Sequence, residues 1–267
     1  MQKQKPKLGQ NFLVSATAQA TIVDALGDVS ERTVVEIGPG RGALTGMLAA
    51  RARRLVAVEL DGELAARLRA DSAERENVEI RQEDVLKTDF AALRGDGERL
   101  AVVGNLPYYL TSDILLRLFR YADQIERAVV MMQREVAERV AARPGGREYG
   151  ALSATAQLYA RVETLMTLPP GAFSPPPQVH STVLRLRMAP RFEELCVEAE
   201  GFVAFLRAGF AQKRKMLQKN LRNAGYAADN VAAALEASGV PATARAEEID
   251  LERMAGVWKR LEAGNRQ

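Results

Sequence analysis

Cysteine and histidine are nearly missing from this chain: Cys196 and His180 each stand alone. One thiol excludes an internal disulfide framework, and no Cys/His spacing suits zinc, so no metal site is expected. Long apolar runs are missing as well, none approaching the roughly 20 residues of a membrane span. Lys3, Lys5 and Lys7 make the start of the chain basic, but only Phe12-Leu13-Val14 follow, which is no signal-peptide core. The expectation is a cytoplasmic protein without a membrane partner. Charge of one sign is not in large excess either, and a net charge of +3 does not by itself point to nucleic acid. Its distribution says more. Met1–Gln10 holds three Lys and no acid, and Arg207–Arg222 holds six Lys/Arg and no acid.

What is present is a hydrophobic fraction of 47%, ordinary for a globular chain with a substantial core. A length of 267 residues allows one large domain or a large and a small one. Short apolar runs read as strands at Thr33–Ile37, Leu55–Leu60, Val78–Arg81, Leu100–Gly104 and Ala128–Met132. Several are continuously apolar and rich in Val and Ile, which suits parallel strands buried on both faces. Helix-length segments such as Ala43–Arg53 and Gly62–Ala73 alternate with them, which predicts an open α/β sheet. Leu152–Tyr159 reads as a further helix, and Glu163–Leu168 and Thr182–Arg187 as two last strands around the Pro-rich turn Pro169–Pro177. A short connection makes that pair antiparallel. After Pro190 only helical spacing remains, with Arg207–Arg222 read as one basic helix. The boundaries expected are residues 1–189 for an α/β domain and 190–267 for a small all-α domain.

Two patterns carry chemistry. The first is Glu36-Ile37-Gly38-Pro39-Gly40-Arg41-Gly42, between a strand and a helix, where glycines let a ligand approach the backbone. Glu59 ends the second strand, where an acid can accept ribose hydroxyls. Asp84 follows the third, placed to accept from an adenine amine. A nicotinamide enzyme would carry Gly-x-Gly-x-x-Gly, whereas the spacing here is Gly38-x-Gly40-x-Gly42. Glu36 would repel a pyrophosphate but suits the ammonium and sulfonium end of S-adenosylmethionine. The second pattern is Asn105-Leu106-Pro107-Tyr108 at the end of the fourth strand. The Asn105 amide oxygen and the Leu106 carbonyl can each accept from an exocyclic amine. Pro107 restrains the loop, and Tyr108 offers a face for a base to stack on.

With these residues in view the chain resembles the bacterial 16S rRNA adenine dimethyltransferases. The resemblance runs through Leu8-Gly9-Gln10-Asn11-Phe12-Leu13, Glu36–Gly42, Glu59, Asp84 and Asn105–Tyr108. It continues through Gln133–Arg139, Tyr149-Gly150-x-Leu152-Ser153, Phe173-x-Pro175-x-Pro177-x-Val179-x-Ser181 and Phe210–Lys215. Departures are Tyr109, where many members have Asn, and Gln178 and His180, where a Lys and an acid are common.

The resemblance implies a doubly wound, seven-stranded methyltransferase sheet, mostly parallel with the last strand antiparallel, and a C-terminal helical RNA-binding domain. It implies a monomer that takes S-adenosylmethionine as cofactor. Its implied task is to dimethylate two adjacent adenosines near the 3′ end of small-subunit rRNA within an immature ribosomal subunit. Asn11, Leu13, Gly38, Glu59, Asp84 and Asn105 would contact the cofactor. Asn105, Leu106, Pro107 and Tyr108 would hold the flipped base, with Phe173 supporting its pocket from another side. A resistance-type methyltransferase of large-subunit RNA and a non-catalytic assembly factor are the alternatives.

Overall fold

A computed structural model describes residues 11–95 and 97–264. Lys3, Lys5, Lys7 and the Leu8–Gln10 part of the N-terminal signature lie outside the described residues, as do the last three residues of the tail. Among the described residues nine strands occur: β1 (Phe12–Leu13), β2 (Thr33–Ile37), β3 (Arg54–Glu59), β4 (Val78–Gln82), β5 (Leu100–Asn105), β6 (Ile125–Gln133), β7 (Ala160–Leu168), β8 (Phe173–Ser174) and β9 (Ser181–Met188). Seven form one sheet in the order β4-β3-β2-β5-β6-β9-β7, and β1 pairs with β8 in a separate ribbon.

The five runs read as parallel strands are parallel: β2 with β3 and β5, β3 with β4, and β5 with β6. β9 is antiparallel to β6. Every residue of β2 is buried, as expected of a strand covered on both faces. The last two large-sheet strands extend beyond the expected segments: Ala160 and Ser181 are themselves buried, and Ser181 continues the pairing of β9 with β6. The helix expected over Ala43–Arg53 is only Thr45–Ala49. Gly38, Gly40 and Gly42 adopt φ of +62°, +60° and +80°, so the preceding backbone is a left-handed turn rather than helix. Gly62–Asp71 starts where Asp61 caps the Glu63 and Leu64 amides at 2.9 and 3.1 Å.

The order of strands places a switch between β2 and β5. From β2 the chain winds outward to β3 and β4, then returns to β5 on the other side of β2. The loops after β2 and β5 therefore leave in opposite directions and open a crevice at the carboxyl ends of the strands.

The chain divides into two compact units, residues 1–137 with 162–188, and 138–161 with 189–267. Residues 138–161, expected in the first domain, belong with the helical unit because Tyr149, Ala154 and Leu158 are buried in its core. That core is built on Phe202, Phe205, Leu206, Leu221, Val257 and Trp258. The single helix expected over Arg207–Arg222 is two, Ala199–Gly209 and Leu217–Asn223. Buried Asn220 closes the break by donating to the Gly209 and Gln212 carbonyls at 2.6 and 3.2 Å. A side chain on Gly209 would stand 3.0 Å from Leu217 Cδ1, so the two helices meet closely there.

Candidate active site

The crevice holds a cavity of about 300 Å³. Its walls come from the ends of β2 to β5 and from the N-terminal segment at Asn11–Leu13. Asn11, Leu13, Gly38, Glu59, Asp84, Asn105, Leu106, Pro107 and Tyr108 all line it. Phe173 does not follow them. It is 3% exposed, packed in the core, and paired across the small ribbon with Leu13. The ring expected to support the base pocket therefore does not line the cavity; opposite Leu13, it is buried behind that segment.

Glu59 is buried and fully engaged in shaping the loop. Its Oε2 accepts the Gly40 amide at 3.0 Å and its Oε1 accepts the Asp61 amide at 2.9 Å. Each carboxylate oxygen retains a second lone pair for a ligand hydroxyl. The glycine loop is tight at Gly40 and in ordinary contact at Gly38. A side chain on Gly40 would meet the Phe12 ring at 3.0 Å, and one on Gly38 would stand 3.7 Å from the Asn105 carbonyl. Asp84 lies two residues past the end of β4, and its Oδ1 accepts the Leu86 amide at 2.9 Å.

Asn105 donates through Nδ2 to the Asn11 carbonyl at 3.0 Å. That bond assigns the amide orientation and leaves Oδ1 as the acceptor side. Leu106 is pinned to β6 by its amide on the Met131 carbonyl at 2.9 Å. The Pro107 carbonyl accepts from the Leu110 amide at 3.0 Å and the Thr111 hydroxyl at 3.1 Å, which ties down the short turn Tyr108–Leu110. The Tyr108 hydroxyl pairs with Ser181 Oγ at 2.9 Å.

Electrostatically the cavity carries more acids than bases. Glu36, Glu59, Glu83 and Asp84 all line it, while the Arg41 guanidinium lies 4.3 Å from the centre of the Phe12 ring. Glu36 is 2% exposed, and burial pushes its carboxyl up to about 7. The Thr45 hydroxyl donating at 2.7 Å works against that rise, and the nearby Glu59 adds to it. This donor set, with glycine backbone in left-handed conformation and buried acids but no phosphate cradle, fits an adenosine bearing an ammonium and sulfonium chain. It does not fit a pyrophosphate.

Reading along the sequence missed the Arg41–Phe12 stack, the Thr45 partner of Glu36, and Ser181 as a neighbour of Tyr108. Leu60 and Tyr109, both lining the cavity, are 51% and 62% exposed. The exposure of an apolar side chain at a strand end has no local sequence signal.

Comparison with known proteins agrees with this architecture. The family model described as ribosomal RNA adenine dimethylase matches residues 1–263. The Ribosomal RNA small subunit methyltransferase A of Acidobacterium capsulatum is 61% identical over 260 residues, 97% of this chain and 92% of that one. Its namesake from Koribacter versatilis is 52% identical over 272 residues, 97% and 95% of the two chains. Among solved structures, a dimethyladenosine transferase from Plasmodium falciparum shares the fold at TM-score 0.79 and 22% identity, over 95% of this chain and 98% of its own. The 23S rRNA methyltransferase ErmE superposes at TM-score 0.71 with 28% identity, over 94% and 100%.

Proposed function

The chain belongs to the ribosomal RNA adenine dimethylase family, and we propose that the cavity at the ends of β2 to β5 is where the methyl group of S-adenosylmethionine passes from its sulfur to the amine of a target adenosine. The protein is an enzyme that dimethylates adenine in small-subunit (16S) rRNA. The observation that carries the assignment of the site is a juxtaposition: Asn105–Tyr108, the glycine loop and Glu59 share one cavity.

In this reading Glu59 accepts the ribose hydroxyls, Asp84 the adenine amine, and Asn11, Leu13 and Gly38 close around the remainder of the cofactor. Glu36 faces its cationic end. Bound S-adenosylmethionine supplies an electrophilic methyl group. The protein's own part is to present the nucleophile. Delocalisation into the ring makes an adenine amine a poor nucleophile, and acceptors at Asn105 Oδ1 and the Leu106 carbonyl draw density back onto its nitrogen. The fixed orientation of the Asn105 amide guarantees an acceptor there rather than a competing donor. No strong base is required, because a methylated, positively charged amine gives up its proton readily. Positioning then supplies most of the rate, with effective molarities of about 10⁵ M or more available to well-oriented reactants.

Tyr108 stacks on the flipped base. RNA is held elsewhere, by the exposed turn that carries Lys213, Arg214 and Lys215 and by Lys219 and Arg222 on the helix after it. The target is two adjacent adenosines near the 3′ end of the RNA, within an immature subunit, and the enzyme acts as a cytoplasmic monomer. Among the described residues no helix is long and apolar enough to cross a membrane.

The test is transfer of labelled methyl from S-adenosylmethionine to undermethylated small subunits, with large-subunit RNA in parallel. Wild-type protein is expected to label small subunits at adenosine, and Asn105→Ala to lose turnover while its thermal unfolding is unchanged. Full activity in Asn105→Ala would remove the amide from the reaction.

A further inference from the structure

We propose that Ser181 is a positioning residue for the reaction: its buried hydroxyl tethers the Tyr108 ring and so sets the long axis of the ring on which the target base stacks. The proposal rests on the assignment of Tyr108 to the base-binding wall and deepens it.

Ser181 is fully buried at the first position of β9, where it pairs with Gln133 of β6 in the antiparallel ladder. Its backbone is therefore fixed by the sheet. Its Oγ lies 2.9 Å from the hydroxyl of Tyr108, a ring that is only half-buried and lines the cavity. The other end of that ring is fixed too. Tyr108 opens a turn held by the Leu110 amide and Thr111 hydroxyl on the Pro107 carbonyl. With Cα anchored at one end and the hydroxyl at the other, the long axis of the ring is set and only rotation about that axis is left. A phenylalanine in this place could swing about its first side-chain bond.

This gives the stretch Phe173–Ser181 a function that its sequence did not disclose. At one end Phe173 pairs with Leu13, two residues from the Asn11 carbonyl that orients the Asn105 amide. At the other end Ser181 holds Tyr108. One segment thus steadies both the Asn105 and the Tyr108 side of the grip on the amine.

Methyl transfer to undermethylated small subunits, measured with Ser181→Ala, Tyr108→Phe, the double variant, Ser181→Thr and Tyr108→Ala, tests the tether. Losing a single hydrogen bond is expected to lower kcat by about tenfold in Ser181→Ala and in Tyr108→Phe. KM for subunits should stay within about twofold, because phosphate contacts dominate RNA affinity. The double variant should be no slower than either single one, since both remove the same bond. Ser181→Thr, which keeps the hydroxyl, should recover most of the rate. Losses that multiply to about a hundredfold in the double variant would overturn the proposal, and so would a wild-type rate in Ser181→Ala. Should Ser181→Ala fail to fold, Tyr108→Phe removes the bond from the partly exposed side, and a wild-type rate there is equally fatal. Tyr108→Ala at the wild-type rate would instead overturn the assignment of the wall itself.

Discussion

Replacing Glu36 by glutamine should change how stability depends on pH, and the change can be worked out beforehand. The carboxyl titrates at its ordinary 4.5 in an unfolded chain and at about 7 in the folded protein, chiefly because it is buried. Between those values the folded state holds a proton that the unfolded state has released. Stability contributed by this group is therefore full below pH 4.5, falls as pH rises towards 7, and stays at its lower level above that. At about 1.4 kcal/mol for each tenfold in proton concentration, the total is roughly 3 kcal/mol. In Glu36→Gln the side-chain oxygen still accepts from Thr45, so the 2.7 Å contact is kept while the ionisation is gone. Whatever constant cost the extra amide donor brings is the same at every pH and drops out of the comparison. Unfolding midpoints of the two proteins, followed from pH 4.5 to 8, should diverge by roughly 6–12 °C across that range, with the variant losing less. Parallel profiles would mean that Glu36 is not ionised at the expense of the fold, and the cavity's electrostatic character would have to be reassigned to Glu59 and Asp84.

Two further predictions come from neighbouring geometry. Gly104→Ala would put a methyl group 2.6 Å from the Ile37 carbonyl on the adjacent strand, a backbone contact that cannot rotate away. It should destabilise the sheet by about 3 kcal/mol, seen as a fall in the unfolding midpoint, and a change under about 0.5 kcal/mol would refute the close approach. Replacing Lys213, Arg214 and Lys215 together by alanine should flatten the salt dependence of subunit binding by roughly two to three in the log–log slope. An unchanged slope takes the turn out of the RNA interface.

How far the chain could be read before folding depended on the range of each signal. Most of the five parallel strands were legible because they are short, continuous apolar runs whose burial on both faces is written locally; β4, at the sheet edge, alternates apolar and charged residues and is only half-buried. The helical end of the chain was legible as helices, but not its break at residues 210–216. That break is closed by Asn220 reaching back to Gly209, and an asparagine in a helical pattern carries no mark of where its amide points. Likewise residues 138–161 read as part of the first domain because they precede two sheet strands. Only the burial of Tyr149 and Leu158 among the C-terminal helices reveals the core they join.

The cavity divides in the same way. Glycine spacing, Glu59, Asp84 and Asn105–Tyr108 announce themselves because turn geometry and strand-end position are local properties of the backbone. What the linear order alone determined about this protein is thus its inventory: a glycine loop, acids at strand ends, an Asn-Leu-Pro-Tyr tetrapeptide after the fourth strand, and the family to which that combination belongs. Tertiary structure decided how the inventory is held. Asn105 is oriented by Asn11, 94 positions away, and Tyr108 by Ser181, 73 positions away. Phe173 turned out to back the N-terminal segment rather than face the cavity. Hydrogen bonds and packing act over about 3–4 Å, so partners distant along the chain become partners only when the sheet has brought their strands side by side.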